Sequence, residues 1–254
     1  DEINIGCESC HGPGSDHVES GLRRDRIVVP SLVTPEREVQ ICSSCHSRPQ
    51  GLGGGAPDAP ISSDGHMPRP GTRRADVFVA HTARPYAPAS AFYPSGHSRE
   101  HHQQTEDFIR SSMYRNGSDL MTCTSCHDPH GSDSQPHDLR SDPTTNTGCT
   151  TCHSADAFTA VHTHVQSVTG IDHSVLPVGL FLCVRCHMVG TATVGARIPE
   201  LLDNNPPASP FQYMHGDVSS HLFERPPLRD VATTQPSVFT FSCAVCHTGF
   251  LPNP

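Results

Sequence analysis

One five-residue motif, Cys-x-x-Cys-His, occurs six times in this sequence of 254 residues. The six copies use all twelve cysteines, which leaves none for catalysis, a lipid anchor or a free thiol. The cysteine pairs, called motifs 1 to 6 here, are Cys7 and Cys10, Cys42 and Cys45, Cys123 and Cys126, Cys149 and Cys152, Cys183 and Cys186, and Cys243 and Cys246. The histidines that end the motifs are, in the same order, His11, His46, His127, His153, His187 and His247.

The spacing within each motif fits the covalent attachment of haem. Positions i, i+3 and i+4 of one helical turn lie on the same face. Two thiols placed in this way can form thioethers to the two haem vinyl groups, while the imidazole reaches the iron as the proximal ligand. Cys-x-x-Cys-His is the attachment motif of c-type haem. The sequence therefore predicts six covalently bound c-type haems, each with a motif histidine on its iron.

Two other kinds of site use the Cys-x-x-Cys pair. A redox disulfide needs only the two cysteines, and a zinc site combines two such pairs. Neither site explains why a histidine follows every second cysteine. We therefore expect haem at all six motifs.

The composition agrees with a core that is made of haem. Hydrophobic residues make up only 34% of the chain, which contains 20 Gly, 24 Pro and no Trp. Six haems would amount to one for about every 42 residues. We expect a single domain over residues 1–254, mostly irregular, with short α-helices and very little β-structure around a string of haems. Alternating apolar runs long enough for a substantial sheet are absent from the sequence.

Several segments between the motifs have a recognisable character. A Gly/Pro-rich stretch between motifs 2 and 3 predicts an irregular insert at about 49–95. The segment 98–115 is the best helix candidate, with Ser98 as a possible cap. A second short helix is predicted near 155–168, and a loop over 203–210.

Thirteen histidines outside the motifs can supply a second axial ligand to the irons. A low-spin electron carrier needs one such ligand per iron, and only five Met are present as the other usual choice. His17 follows His11 behind a Gly-Pro-Gly turn and is able to point at a neighbouring haem. His130 lies three residues after His127, where Pro129 stiffens the turn, and suits the next haem better than its own.

Four further histidines complete the predicted set of distal ligands, each with an alternative that the sequence does not exclude. The preferred residues are His102, His164, His221 and His173. Their alternatives are, in the same order, His101, His162, His215 and His97.

Charge and hydropathy exclude two kinds of partner. The formal net charge is −9 and all 17 basic residues are Arg, so basic clusters for binding nucleic acid are missing. The longest nearly apolar run, 175–184, is far shorter than the roughly 20 residues needed to cross a bilayer. Because c-type haem is attached outside the cytoplasm, we expect a periplasmic or extracellular protein.

Several blocks of the sequence resemble one bacterial family, the large multihaem c-type cytochromes of dissimilatory and extracellular electron transfer. Subunits of cytochrome filaments are related to that family. The similar blocks are 7–18, 101–104 with 107–111, 123–131, 183–188 and 216–223. The resemblance implies bis-histidine haems in stacked and T-shaped pairs, with His17, His130 and His221 in positions that suit distal ligands.

These features predict an electron conductor rather than an enzyme, with redox proteins or extracellular acceptors as partners. The alternative is a multihaem redox enzyme of the nitrite or hydroxylamine type, which needs one open iron. Pentahaem nitrite reductases usually mark that iron with Lys in place of the motif histidine, and this chain contains no Lys.

Because haem is attached near both ends of the sequence, head-to-tail polymerisation into a filament is a further expectation, with a monomeric shuttle as the alternative. In a filament, His17 would ligate or contact a haem of the adjacent subunit.

Overall fold

A computed structural model describes residues 5–47, 67–76, 92, 96–98, 103–116, 121–131, 135–153, 182–188, 190–192 and 218–224. Irregular segments and single turns join short helices throughout these ranges. The predicted fold class, short helices with very little β-structure, is confirmed over the described residues. Among the described helices, none is both long enough and apolar enough to cross a bilayer.

The α-helices of the described residues are α1 (Cys7–His11), α2 (Ser15–Glu19), α3 (Pro35–His46), α4 (Gln104–Arg110), α5 (Ser112–Arg115), α6 (Thr147–Thr150) and α7 (Cys183–His187). Single 3₁₀ turns cover Arg24–Arg26, Pro30–Leu32, Arg74–Asp76, Cys123–Ser125 and Pro136–Asp138. Two short strands, β1 (Gly190–Ala192) and β2 (Val218–Ser219), pair antiparallel. In their register, Gly190 lies opposite Ser219 and Ala192 opposite Val218.

The longest of the described helices, α3, has favourable residues at its first turn. Pro35 occupies the first helical position, where its missing N–H costs no hydrogen bond. Glu36 and Glu38 lie in the first turn, where negative charge complements the helix dipole. The helix ends on the histidine of motif 2, so its last turn is an attachment motif.

The helix predicted over 98–115 differs from the one observed. Helix α4 begins at Gln104, and the extended backbone of Ser111 (φ −65°, ψ 153°) separates it from α5. The Ser111 hydroxyl caps α5 by accepting the N–H of Tyr114 at 3.2 Å. Ser98 does not cap a helix, because its hydroxyl donates to the carboxylate of Asp107 at 2.6 Å.

The protein core of the described residues is small and unusually polar. Its buried apolar residues are Val39, Ile41, Phe108 and Leu222. Helices α3 and α4 pack against each other, and the Ser43 hydroxyl of α3 lies 3.3 Å from that of Thr105 on α4. Arg74 is buried beside them and donates to the Ser43 hydroxyl at 3.2 Å.

Some predicted segments lie mainly outside the described residues. Of the insert predicted at about 49–95, the structure describes 67–76 and residue 92. The first of these contains a turn closed by the Thr72 N–H on the Arg69 carbonyl at 3.1 Å. The helix predicted near 155–168 and the loop predicted over 203–210 both lie outside the described residues.

Candidate functional site

Each of motifs 1 to 5 forms a single turn. Motifs 1 and 5 are the whole of α1 and α7, and motif 2 is the last turn of α3. In motif 3 the N–H of His127 donates to the Cys123 carbonyl at 3.0 Å, and in motif 4 the N–H of His153 donates to the Cys149 carbonyl at 2.9 Å. An i to i+4 bond of this kind brings both cysteines and the histidine to one face. The backbone therefore presents the three groups as haem attachment requires.

Three motif histidines are oriented by backbone carbonyl groups. The Nδ1 atoms of His11, His127 and His187 lie 2.7, 2.8 and 3.1 Å from the carbonyl oxygens of Val28, His137 and Phe223. Because a carbonyl oxygen only accepts, each Nδ1 carries the proton and donates it. Nε2 is then the unprotonated nitrogen, which is the one that binds a metal in this tautomer. These rings fit the proximal position on a haem iron.

Two of those acceptor carbonyls belong to residues with a left-handed backbone. His137 has φ 60° and Phe223 has φ 58°, and neither is a glycine. Such a conformation costs roughly 1–2 kcal/mol for an L-residue. The Nδ1 of His17 likewise donates to a backbone carbonyl, that of Arg23, at 2.8 Å. Leu22, the residue before Arg23, also has a left-handed backbone, with φ 67°. Local strain of this kind is common at functional sites.

Two pairs of imidazole rings have their centroids at the separation that an iron between them would require. The centroids of His11 and His130 lie 6.0 Å apart with an angle of 22° between the rings. Those of His127 and His221 lie 6.2 Å apart at 25°. Two imidazoles bonded to one metal at about 2 Å each would have centroids about 6 Å apart. Both pairs therefore fit a bis-histidine haem.

His221 is oriented in the same way as the motif histidines. Its Nδ1 donates to the Ser219 carbonyl at 2.9 Å. Burial lowers the pKa of His221, and the nearby rings of His127 and His46 act in the same direction, while the Ser219 carbonyl and Asp107 oppose them. A neutral imidazole is the form that binds a metal.

Cysteines of successive motifs lie side by side. Burial raises the pKa of Cys10, and the charges of Cys42 and Cys45 raise it further, so motif 1 lies close to motif 2. Helix α3 also contacts both α1 and the turn that carries motif 3. The Cys42 thiol hydrogen-bonds Cys123, which raises the pKa of Cys42 and lowers the pKa of Cys123.

Cysteines of motifs 3, 4 and 5 also lie close to those of the next motif in the sequence. Burial raises the pKa of Cys126, and the neighbouring Cys152 of motif 4 adds to the effect. Burial, together with repulsion and a hydrogen bond from Cys183, raises the pKa of Cys149 to about 11. Motifs 1 to 5 are therefore neighbours in space in the order in which they occur in the sequence.

The alternatives to haem receive no support from the described residues. The nine cysteines whose side chains are described are all free thiols. Within the described ranges, no group of three or more His, Cys, Asp or Glu side chains is placed to hold a metal ion by itself.

Comparison with known proteins agrees with this geometry. The doubled CXXCH motif family matches residues 115–158, which contain motifs 3 and 4. The multiheme cytochrome MtrA of Shewanella baltica (strain OS185) is 27% identical over 151 residues, which are 58% of this chain and 41% of MtrA. The six motifs and these similarities support a bacterial multihaem c-type cytochrome.

The fold of the chain resembles that of a solved cytochrome structure. The crystal structure of the outer cell wall cytochrome OcwA superposes with a TM-score of 0.62 at 20% identity. The match covers 97% of this chain and 55% of OcwA. The chain thus spans about half the length of the proteins to which it is similar.

Some predicted site residues of the cytochrome lie outside the described part of the chain. They are the motif 6 residues Cys243, Cys246 and His247, the distal candidates His102, His164 and His173, and the alternatives His101, His162 and His215. The side chain of Cys186 is not described either. The alternative candidate His97 is buried, and its Nε2 lies 3.1 Å from the Glu224 carbonyl oxygen.

Two features of the site were not found from the sequence. The first is the set of backbone carbonyls that accept hydrogen bonds from the motif histidines. Every residue has a carbonyl group, so the residue types do not show which one accepts. The second feature is the buried carboxylate of Asp107, which connects Ser98 with Ser220, the residue before His221. Both Asp107 and Ser220 fall in blocks that resemble the multihaem family, and that resemblance was the available signal.

Proposed function

We propose that this cytochrome conducts electrons along six closely spaced bis-histidine haems in a single domain. The observation that carries the proposal is that two motif histidines, His11 and His127, each have a second imidazole nearby. The ring centroids of the two pairs are 6.0 and 6.2 Å apart. Each bound haem would supply a one-electron iron couple. Two histidines on one iron leave no position for a substrate, which suits transfer rather than catalysis.

The ring pairs support specific distal ligands. His130, which follows motif 3, serves motif 1 by facing His11, and His221 serves motif 3 by facing His127. The remaining distal ligands are His17, His102, His164 and His173. Each of these two sites is thereby completed by a histidine that lies far from the motif in the sequence.

The order of the motifs supports a path that follows the chain. Thiols of motifs 2 and 3 touch at Cys42 and Cys123, and thiols of motifs 4 and 5 touch at Cys149 and Cys183. Haems attached to adjacent sulfur atoms would lie close together. Electrons would then pass from each haem to the next without a mobile carrier.

Location, partners and assembly complete the proposal. We place the protein outside the cytoplasm, in the periplasm or beyond, with redox proteins or extracellular acceptors as partners. The name of the outer cell wall cytochrome OcwA supports an exported location, and that of the multiheme cytochrome MtrA supports several haems. Polymerisation into a filament is supported by the sequence resemblance alone. Electron microscopy and light scattering of concentrated protein distinguish a filament from a monomeric shuttle.

A haem count and a spin-state spectrum test the proposal. We expect six haems per chain by haem assay and mass spectrometry, all low-spin in the electron paramagnetic resonance spectrum of the oxidised protein. A high-spin signal equal to one full haem would overturn the conductor and support the enzyme alternative. Fewer than six haems would remove one or more of the predicted sites.

Single variants test the two ligand pairs. His130→Ala and His221→Ala should each convert one haem to a form that binds carbon monoxide when reduced. The matched control is His137→Asn, which removes an exposed imidazole and keeps a residue that tolerates the left-handed backbone. If either ligand variant binds no more carbon monoxide than the control, that pair is wrong.

A further inference from the structure

Asp107 is a buried carboxylate at the meeting point of three segments. Its Oδ1 accepts hydrogen bonds from the N–H and hydroxyl of Ser98, at 3.0 and 2.6 Å, and from Arg110 at 2.9 Å. Its Oδ2 accepts from the hydroxyl of Ser220 at 2.7 Å. The side chain is only 1% exposed. Burying a charge is costly unless it is fully paired, so this network is sensitive to the loss of any partner.

Ser220 carries the effect of Asp107 to His221. Ser220 is buried, and its hydroxyl oxygen accepts the N–H of Leu222 at 3.2 Å. The hydroxyl thus joins Ser220 to Leu222 across His221, while the His221 Nδ1 donates to the Ser219 carbonyl. These contacts fix the backbone on either side of the ring, whose centroid lies 6.2 Å from that of His127.

We propose that Asp107 is a positioning residue, which acts through Ser220 to hold His221 opposite His127. The proposal rests on the function proposed above, because it requires His221 to be a distal ligand. The side-chain hydrogen bonds of Asp107 go to Ser98, Arg110 and Ser220, and its charge also lies close enough to act on His221. Its role is to prevent the short segment after β2 from moving, so that the imidazole stays at ligand distance.

The role predicts an effect that ordinary loss of stability does not produce. A looser segment allows His221 to leave the iron part of the time, which opens one haem and leaves the others closed. Overall destabilisation would change the unfolding transition without opening one particular haem in the folded protein. Carbon monoxide, which binds only an open reduced haem, distinguishes the two cases.

The experiment compares four variants of the haem-loaded protein. His221→Ala should bind one carbon monoxide per chain. Asp107→Ala and Ser220→Ala should bind it at the same haem at least about tenfold faster than the unaltered protein, as expected when a hydrogen bond to a charged group is lost. Asp107→Asn retains one acceptor oxygen for Ser98 and Arg110, and its amide N–H can donate to the Ser220 hydroxyl, so this variant should restore most of the slow rate.

Matched controls remove similar groups that have no connection to His221. Asp25→Asn removes an exposed carboxylate that pairs with Arg23, and Thr72→Val removes a hydroxyl that donates to the Arg69 carbonyl. Both should keep the original rate. If His221→Ala opens a haem but the Asp107 and Ser220 variants do not, the positioning role is wrong and the ligand pair stands.

Two other outcomes are also decisive. If His221→Ala opens no haem, both the ligand pair and the positioning role fail. If Asp107→Ala does not accumulate as a folded protein, Ser220→Ala decides alone, since it removes one hydroxyl and leaves the carboxylate with its bonds to Ser98 and Arg110. An unchanged rate in Ser220→Ala then overturns the proposal.

Discussion

Motif 2 and motif 4 have the same sequence pattern but very different surroundings. Motif 2 ends the twelve-residue helix α3, whose residues Val39, Ile41 and Ser43 are buried against other parts of the protein. Motif 4 lies in the segment 135–153, in which no residue is buried. Its helix α6 has four residues and is supported by local side-chain bonds, such as that from Thr151 to the Thr147 carbonyl at 2.8 Å.

The difference indicates where the protein depends on its cofactor. Helix α3 has apolar and polar neighbours in the chain itself, including α4 and Arg74. The segment 135–153 has few such neighbours, so a haem attached at Cys149 and Cys152 would provide most of its apolar contact. Burial of apolar area, rather than local hydrogen bonding, is the larger source of stability.

Removing one haem at a time should show this contrast most strongly. In the double variant Cys149→Ala and Cys152→Ala, we expect the amides of 142–153 to lose their protection from hydrogen exchange. In the double variant Cys42→Ala and Cys45→Ala, the amides of α3 should keep most of theirs. Hydrogen-exchange mass spectrometry of the two proteins makes the comparison. Equal loss at both motifs would contradict the distinction between them.

The protein core around α3 should be sensitive to a cavity. Ile41→Ala removes a buried side chain and should destabilise the α3 region by about 2–5 kcal/mol. Exchange rates of the α3 and α4 amides measure that loss locally. Thr151→Ala in the exposed segment is the control and should cost below about 1.5 kcal/mol. A similar cost at both positions would mean that α3 too is held mainly by haem.

The longest-range bond of the exposed segment joins it to motif 5. The Asn146 side-chain oxygen accepts the N–H of Cys183 at 2.7 Å. Asn146→Ala should cost about 0.5–1.5 kcal/mol and speed exchange at Cys183. Asn146→Asp keeps an acceptor oxygen and should behave like the unaltered protein. If both variants exchange equally fast, the side chain does not couple the two motifs.

The smallest effect is expected at His137. Its left-handed backbone is favourable for glycine, so His137→Gly should relieve strain while adding flexibility to the unfolded chain. The net change in the free energy of unfolding should be a gain below about 1 kcal/mol. Denaturant midpoints of His137→Gly and of the neutral control His137→Asn measure it. A loss of stability in the glycine variant would show that the imidazole has contacts of its own.

The sequence alone determined the features that depend on short-range spacing. Six identical motifs, each with Cys, Cys and His at i, i+3 and i+4, define one turn with three groups on one face. That relation needs nothing from the rest of the chain. The low apolar content and the many Pro and Gly residues likewise indicated a fold of short helices and irregular segments, and the helical structure observed agrees.

Only the tertiary structure decided which segments meet. The sequence indicated that His130 suits a haem other than its own, but it did not say which; the structure places the ring beside His11. It also replaced the expected Ser98 cap with a bond to Asp107, and it chose the carbonyls that orient the motif histidines. Such contacts join residues that are far apart in the sequence. Local propensity does not predict them, because they are fixed by packing, by the satisfaction of buried polar groups and by the covalent haem.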